Sequence, residues 1–298
     1  MATLEIEKVD LASFCYLNKE RYPFLLESVN HNENNRYSIL FAFPEEKIVL
    51  RDFSDFIFLN ELENQLEPSN DNSNLPFTGG WFVYLSYELI GQIEPTLASK
   101  LHKSNIPIAY AVKIPSAVIT DHKLKKTFII DKDGNQTRVN KILSDIKALE
   151  NIPDKAINGK IKEENKKKFT DGVKSSLDYI VAGDVFQVNL SREWSYSLSS
   201  NQDSAIIYQK LKKANPAPFS ALIQYEDFSI ISSSPERLFS VNDGVLETRP
   251  IAGTHPRAKG DLDNTQKENL ISHPKEIAEH VMLLDLERND MGRVCEYG

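Results

Sequence analysis

Two glutamates open the last periodic stretch of the chain, and their spacing carries its strongest chemical signal. Glu276 and Glu279 stand three residues apart. On a helix that starts at Pro274, a residue suited to the first turn, they share a face one turn from each other. Leu283 and Leu286 continue that face, while Ile277, Val281 and Leu284 form a second apolar stripe roughly 100° round. A helix apolar on both stripes is expected to be covered on both sides. Its two leading carboxylates then face a mostly covered space, where ionised groups are costly unless paired. A divalent cation resolves that conflict, and oxygen-only ligands favour Mg²⁺. The other reading is an exposed pair in the first turn, stabilised by the helix dipole. Spacing alone leaves both open.

A second cluster lies at strand ends. The run from Asp184 to Leu198 alternates, with Phe186, Val188 and Leu190 on one side and Gln187, Asn189 and Ser191 on the other. Ser232-Ser233-Ser234-Pro235-Glu236-Arg237 joins two hairpins. Thr248-Arg249-Pro250-Ile251-Ala252-Gly253-Thr254 ends a strand with a glycine that permits close approach of a ligand to the backbone. Together they offer an acid (Glu236), amide donors and a hydroxyl, a floor for an anionic small molecule. Glu236 has two alternative partners in Arg237 and Arg249. The six histidines are scattered, and His273 and His280 are too far apart for an i, i+4 metal pair. Cys15 and Cys295 sit in no nucleophile turn, so the chain is not expected to act as its own thiol-dependent amidase.

The elements that must hold these residues read as follows. Strands are expected at Tyr37–Phe43, Lys47–Leu50 and Gly79–Tyr87, the last as a buried strand, with a helical stretch over Phe53–Leu66. Ile108–Thr120 and Leu124–Asp131 read as a hairpin. Pro153, Gly159 and a charge cluster mark a linker over Asn151–Asn165. The chain divides there into residues 1–157 and 158–298. Beyond it, a helix with Phe169, Val173, Leu177 and Ile180 closes at Gly183, and Asp203 caps another that runs to Ala214. Hairpins are expected at Phe219–Ser233 and, across Asn242-Asp243-Gly244, at Arg237–Arg249. Antiparallel runs interleaved with helices give an α+β fold. No Gly-rich nucleotide motif occurs.

Composition sets the bounds. The 298 residues carry 35 Lys+Arg against 43 Asp+Glu, a net charge of −8, with 41% hydrophobic and 26% charged residues. This is a globular composition of about two domains. With no basic stripe, nucleic acid is not an expected partner. With no apolar run near the ~18 residues of a membrane span and no leader pattern, a cytoplasmic location is expected.

At these residues the sequence resembles the chorismate-utilising enzymes, namely anthranilate synthase component I and aminodeoxychorismate synthase component I. The likeness rests on Gly183-Asp184-Val185-Phe186-Gln187-Val188-Asn189-Leu190-Ser191-Arg192, Ser234-Pro235-Glu236-Arg237, Arg249-Pro250-Ile251-Ala252-Gly253-Thr254, and Glu276-Ile277-Ala278-Glu279-His280 leading to Asp285-Leu286-Glu287-Arg288-Asn289-Asp290. It implies antiparallel sheets packed together and flanked by helices. It also implies that Glu276 and Glu279 are half of a Mg²⁺ site for the ring carboxylate of chorismate. Glu236 matches the acid that protonates the departing C4 hydroxyl, a poor leaving group without a proton donor. Asn189, Ala252, Gly253 and Thr254 fall among residues lining the substrate. Gln187 stands where isochorismate and salicylate synthases carry a Lys that activates water. A glutamine cannot be that base, so ammonia is the implied nucleophile, supplied by a separate glutamine amidotransferase subunit.

Two products compete. The stretches around Gln187, Ala217-Pro218-Phe219-Ser220 and Ser234-Pro235-Glu236-Arg237-Leu238 resemble aminodeoxychorismate synthase, which makes 4-amino-4-deoxychorismate. Ala252, where such enzymes often carry a nucleophilic Lys, resembles anthranilate synthase. Leu25-Leu26-Glu27-Ser28 with Asn215-Pro216-Ala217-Pro218 and Phe219 resembles the tryptophan-binding segments, although Ser220 replaces the Met usual in feedback-inhibited members. The resemblance further implies that a C-terminal third, with a second carboxylate pair, lies beyond Gly298. The expectation is that the 298 residues alone show no turnover. A non-catalytic chorismate- or tryptophan-binding fragment is the rival reading.

Overall fold

A computed structural model of the chain describes residues 1–30, 35–53, 55–67, 73–101, 104–199 and 203–296. In chain order the elements begin with β1 (Ala2–Ile6), α1 (Leu11–Leu17), β2 (Phe24–Glu27), β3 (Tyr37–Ala42), β4 (Lys47–Leu50) and α2 (Phe58–Asn64). Next come β5 (Gly80–Leu85), the single turn α3 (Ile90–Ile93), β6 (Ala109–Ile114), β7 (Ser116–Asp121), β8 (Lys126–Asp131) and α4 (Gln136–Lys147). The second half holds β9 (Gly159–Glu163), α5 (Lys166–Ala182), β10 (Trp194–Leu198), α6 (Ser204–Ala214), β11 (Phe219–Tyr225) and β12 (Phe228–Ser234). It ends with β13 (Ser240–Asn242), β14 (Val245–Glu247), α7 (Asp261–Ser272) and α8 (Pro274–Met291). Local chemistry sets many of these bounds. Asn135, Asn165 and Asp203 accept first-turn N–H groups of α4, α5 and α6. Gly183, at φ 81°, closes α5, and the bond from Asp184 N–H to the Tyr179 carbonyl completes the cap. Asp243 and Gly244 both have positive φ, the geometry of a tight turn between β13 and β14.

All strand pairings in the central sheet are antiparallel, in the order β1-β8-β7-β3-β2-β11-β12. The sheet therefore joins β11 and β12 from beyond residue 158 to strands of the first half, through the register Ser220 to Glu27 and Ile223 to Phe24. Period-two alternation splits its residues between two cores. Leu25, Leu40, Val118, Ile129 and Leu222 meet Phe14 of α1, Ile142 of α4 and Tyr208 of α6 on one side. Phe24, Phe41, Ala221, Ile223 and Tyr225 meet Phe82, Tyr110 and Val112 of a second sheet on the other. That second sheet runs β4-β6-β5, and its outer face packs Leu50 and Ala109 against Phe58 of α2. The sheets grip through rings: Phe24 stacks on Phe82 with centroids 4.1 Å apart, and Tyr110 stacks on Tyr225 at 4.2 Å. The mixed helix–strand architecture with packed antiparallel sheets is the α+β class expected.

Several elements differ from the sequence reading. Pro115 divides the long run from Ile108 to Thr120. Lacking an N–H, it ends β6 in the small sheet and starts β7 in the large one. The strand opened by Gly80 is an edge strand with only Phe82 buried, not a buried one. Part of the expected linker is β9, paired with β10. The expected strand from Asp184 forms only from Trp194. The last rung links Glu164 N–H to the Glu193 carbonyl, after which the partner chain turns into α5. Residues 184–193 thus have no ladder to join. No residue of α5 or α8 is buried, and Ile277, Val281, Leu284 and Leu286 are 44–58% exposed. The doubly covered helix expected at 274–290 is therefore half-covered on one stripe only. No helix among the described residues is long and apolar enough to cross a membrane.

Buried ion pairs pin the first half. The Asp131 carboxylate, fully covered, accepts from Arg138 Nε at 2.6 Å, Ser116 Oγ at 2.6 Å and Asn135 N–H at 2.7 Å. Burial pushes its carboxyl up, but these donors outweigh burial and hold it below the usual carboxylate range. Asp145, held by Lys141, Tyr22 and Arg21, is shifted the same way for the same reasons. A depressed folded-state pKa stabilises the fold above the unfolded pKa of about 3.9, and that stability is lost as pH falls through the folded value. Asp131→Asn is expected to cost about 3 kcal/mol at pH 7 by urea unfolding and to flatten the acid limb of the stability curve. An unchanged limb would assign acid sensitivity elsewhere.

Candidate active site

Glu276 and Glu279 lie in the first turns of α8, where Pro274 occupies an opening position. Both are half-buried, on the stripe continued by Met282, Leu283, Glu287 and Met291. This stripe faces the segment that follows β14. The Glu276 carboxylate lies so close over Gly253 that a Cβ at that position would overlap it. Farther along the helix, Thr248 Oγ donates a hydrogen bond to the Glu287 carboxylate. Residues 248–254 thus form a strap along α8. Neither Glu276 nor Glu279 has a hydrogen bond or an ion pair among the described residues. The helix dipole favours the negative charge of Glu276, in the first turn, without neutralising it.

Glu236 reaches the same strap from the other side. It follows β12 in a tight Ser-Pro-Glu corner, where Ser234 Oγ donates to the Glu236 carbonyl at 3.1 Å. The Ile251 N–H donates to Glu236 Oε1 at 2.8 Å. The two cations that competed for Glu236 are both drawn to Glu247, Arg237 at 3.4 Å and Arg249 at 3.9 Å. Glu236 therefore keeps one oxygen oriented by a backbone amide and the other uncommitted. Ala252 and Gly253 are half-buried between the two acids, and Thr254 is exposed beside them.

The site thus joins Glu236, the 248–254 strap and the α8 glutamates. Gln187 and Asn189 are exposed in the irregular 184–193 segment, and among the described residues no hydrogen bond or ion pair ties them to this corner. The residues likened to a tryptophan site do converge. Glu27 pairs in register with Ser220, and the Ala217 carbonyl accepts from Val29 N–H. Ser28 Oγ donates to the Tyr37 carbonyl, and Ser233 Oγ to that of Asn215. Leu26 is exposed on β2, where it pairs in register with Ala221 of β11, and Pro216 and Phe219 lie just before and at the start of β11, Pro216 exposed and Phe219 half-buried. Glu27 itself accepts from Tyr208 Oη and Lys212 Nζ, each at 2.7 Å. Thr248 and Glu287 were not singled out from sequence. Their only signal was that Glu287 falls eleven residues beyond Glu276, on the same helical stripe.

Among the described residues no group of three or more His, Cys, Asp or Glu side chains could hold a metal ion. The Glu276–Glu279 pair still suits magnesium, which keeps several waters and is commonly held by one or two carboxylates plus substrate oxygens. Two half-buried carboxylates with no protein cation beside them are a donor set of that kind.

Comparisons with known proteins supply the family. Residues 22–298 match the family described as chorismate binding enzyme. An anthranilate synthase component I-like protein of Synechocystis sp. is 32% identical over 91% of this chain and 58% of its own length. Anthranilate synthase component 1 of Lactococcus lactis is 30% identical over 94% of this chain and 67% of its own. Aminodeoxychorismate synthase component 1 of Bacillus subtilis is 36% identical over 78% and 52%. The chain therefore spans about half to two thirds of the length of these relatives. Its structure is similar to that of anthranilate synthase component I from Streptococcus pneumoniae, with a TM-score of 0.72 and 26% identity over 90% of this chain and 64% of that one. On the match of residues 22–298 and the acid-lined strap within them, the chain belongs to the chorismate-binding enzyme family.

Proposed function

We propose that the protein takes part in the ammonia-dependent amination of chorismate to 4-amino-4-deoxychorismate, with the ammonia delivered by a glutamine amidotransferase subunit. The observation that carries the reading is the convergence on one strap of Glu236 and the pair Glu276 and Glu279, three acids with no ion-pair partner among the described residues. The net reaction exchanges the C4 hydroxyl for an amino group. One C–O bond breaks and one C–N bond forms, water leaves, and the enolpyruvyl ether is kept. Hydroxide is a poor leaving group, so Glu236 delivers the proton through its uncommitted oxygen while the Ile251 N–H holds the other. The ammonium nitrogen then returns a proton to the acid. Glu276 and Glu279 would hold Mg²⁺, which when bound neutralises and orients the ring carboxylate. Ala252 and Gly253 present backbone and little side chain, leaving room for the ring beside Glu236. Gln187, unable to act as a base on water, is consistent with a nucleophile that arrives ready to react.

A second reading, anthranilate formation with loss of pyruvate, is favoured by Ala252 and by the names of the Lactococcus lactis relative and of the Streptococcus pneumoniae structure. One assay separates the two. The full gene product is given chorismate, Mg²⁺ and ammonium, with and without aminodeoxychorismate lyase. p-Aminobenzoate that appears only with the lyase is expected. Anthranilate fluorescence without the lyase assigns the second product, and chorismate that is not consumed in a Mg²⁺-dependent way removes both.

A further inference from the structure

The strap meets α8 at two points. At one end Gly253 lies under Glu276. At the other Thr248 Oγ donates to Glu287. The eleven residues from Glu276 to Glu287 span about 16.5 Å at the helical rise. The five residues from Thr248 to Gly253 reach at most about 16–18 Å when extended. The strap therefore runs antiparallel to α8 over about the same length. Glu287 is half-buried, and the groove around the anchor, of about 610 Å³, includes Leu246, Pro250, Leu284 and Met291. Glu247, Arg249 and Arg288 make its lining mixed. The hydrogen bond between the strap and Glu236, from the Ile251 N–H, lies between the two ends.

We propose that Glu287 is a positioning residue: through Thr248 it fixes the strap along α8, so that Gly253 confines the Glu276 carboxylate and Ile251 meets Glu236. This rests on the reading of Glu276 and Glu279 as metal ligands. Glu287 itself touches neither metal nor substrate. Partners that orient metal ligands from one contact further out are commonly worth ten- to a hundredfold in metal affinity.

The test uses Mn²⁺ as the probe, titrated into the chain and followed by electron paramagnetic resonance, with amide hydrogen exchange on the same samples. Thr248→Val keeps shape and loses the donor, and Glu287→Leu loses the acceptor. Thr248→Ser and Glu287→Gln keep the bond. The expected result is Mn²⁺ binding weakened about tenfold in the first two variants and within about twofold of wild type in the second two. The double variant should be no worse than either single one. Exchange at Ile251 and Gly253 should quicken in Thr248→Val and not in Thr248→Ser, at unchanged Tm. Wild-type Mn²⁺ affinity in both disrupted variants overturns the proposal. If the wild-type chain binds no Mn²⁺, the metal reading falls, and the exchange data alone decide the anchor: faster strap exchange supports it, unchanged exchange overturns it.

Discussion

Replacing Glu236 with glutamine is expected to lower chorismate turnover by the full gene product about 10²–10⁴-fold, the usual contribution of a positioned general acid, while leaving Tm unchanged. The change is close to isosteric, and the side chain is exposed. Its one hydrogen bond, from the Ile251 N–H at 2.8 Å, can be accepted by a glutamine oxygen. No ion pair is lost, because Arg237 and Arg249 both turn to Glu247. What disappears is the transferable proton. The loss should therefore fall on kcat, with KM for chorismate within a few-fold of wild type, since the acid is needed as the C–O bond breaks and not to hold the ground state. Steady-state kinetics on matched preparations check this. Turnover within tenfold of wild type would move the acid to another residue, and a rise in KM with kcat intact would make Glu236 a binding group only.

Much of this architecture could be read in the residues because local and global signals agree there. Asp203 before Ser204, Gly183 after Ala182 and Asp243-Gly244 between two short β-rich runs each impose a backbone geometry that tertiary packing leaves intact. The corner of the site could be read for a related reason. Its acids stand at the ends of elements whose ends are marked: Glu236 behind Pro235 and Glu276 behind Pro274. The misreadings came where the answer depends on what lies alongside. Alternation at 184–193 describes a strand only if a partner continues, and the partner becomes α5 after Asn165. Apolar residues on two stripes of α8 state a capacity for burial, and only the stripe with Glu276, Leu283 and Glu287 is met by another segment. α4 carried a readable signal, the Asn135 cap with Val139 and Ile142 on one face, whereas α7, with apolar residues only at Leu262, Leu270 and Ile271, carried none. The pairing of Thr248 with Glu287 joins residues 39 apart in sequence, and no local pattern encodes it.

Gly253→Ala is the other change with a large expected effect, and it acts through Glu276 rather than through the backbone. Gly253 does not occupy the left-handed region, unlike Gly183, Gly244 and Gly260, so alanine fits the local φ and ψ without strain. The added methyl group meets the Glu276 carboxylate, whose oxygen, Cδ and Cγ all lie within the space it would fill. The carboxylate is the free end of a flexible side chain, so it moves and the fold survives. A displacement of about 1 Å at a reacting or metal-binding group costs on the order of 10²-fold. The expected outcome is a fall of that size in Mg²⁺-dependent turnover, a matching loss of Mn²⁺ affinity and a Tm within about 2 °C of wild type. A double-mutant cycle identifies the route. Once Glu276→Ala has removed the carboxylate, the methyl at residue 253 has nothing to displace, and Gly253→Ala should add little further loss. Fully multiplicative losses would instead mean that the methyl obstructs the substrate directly, which would make Gly253 a wall of the ring pocket and leave the orientation of Glu276 to other residues.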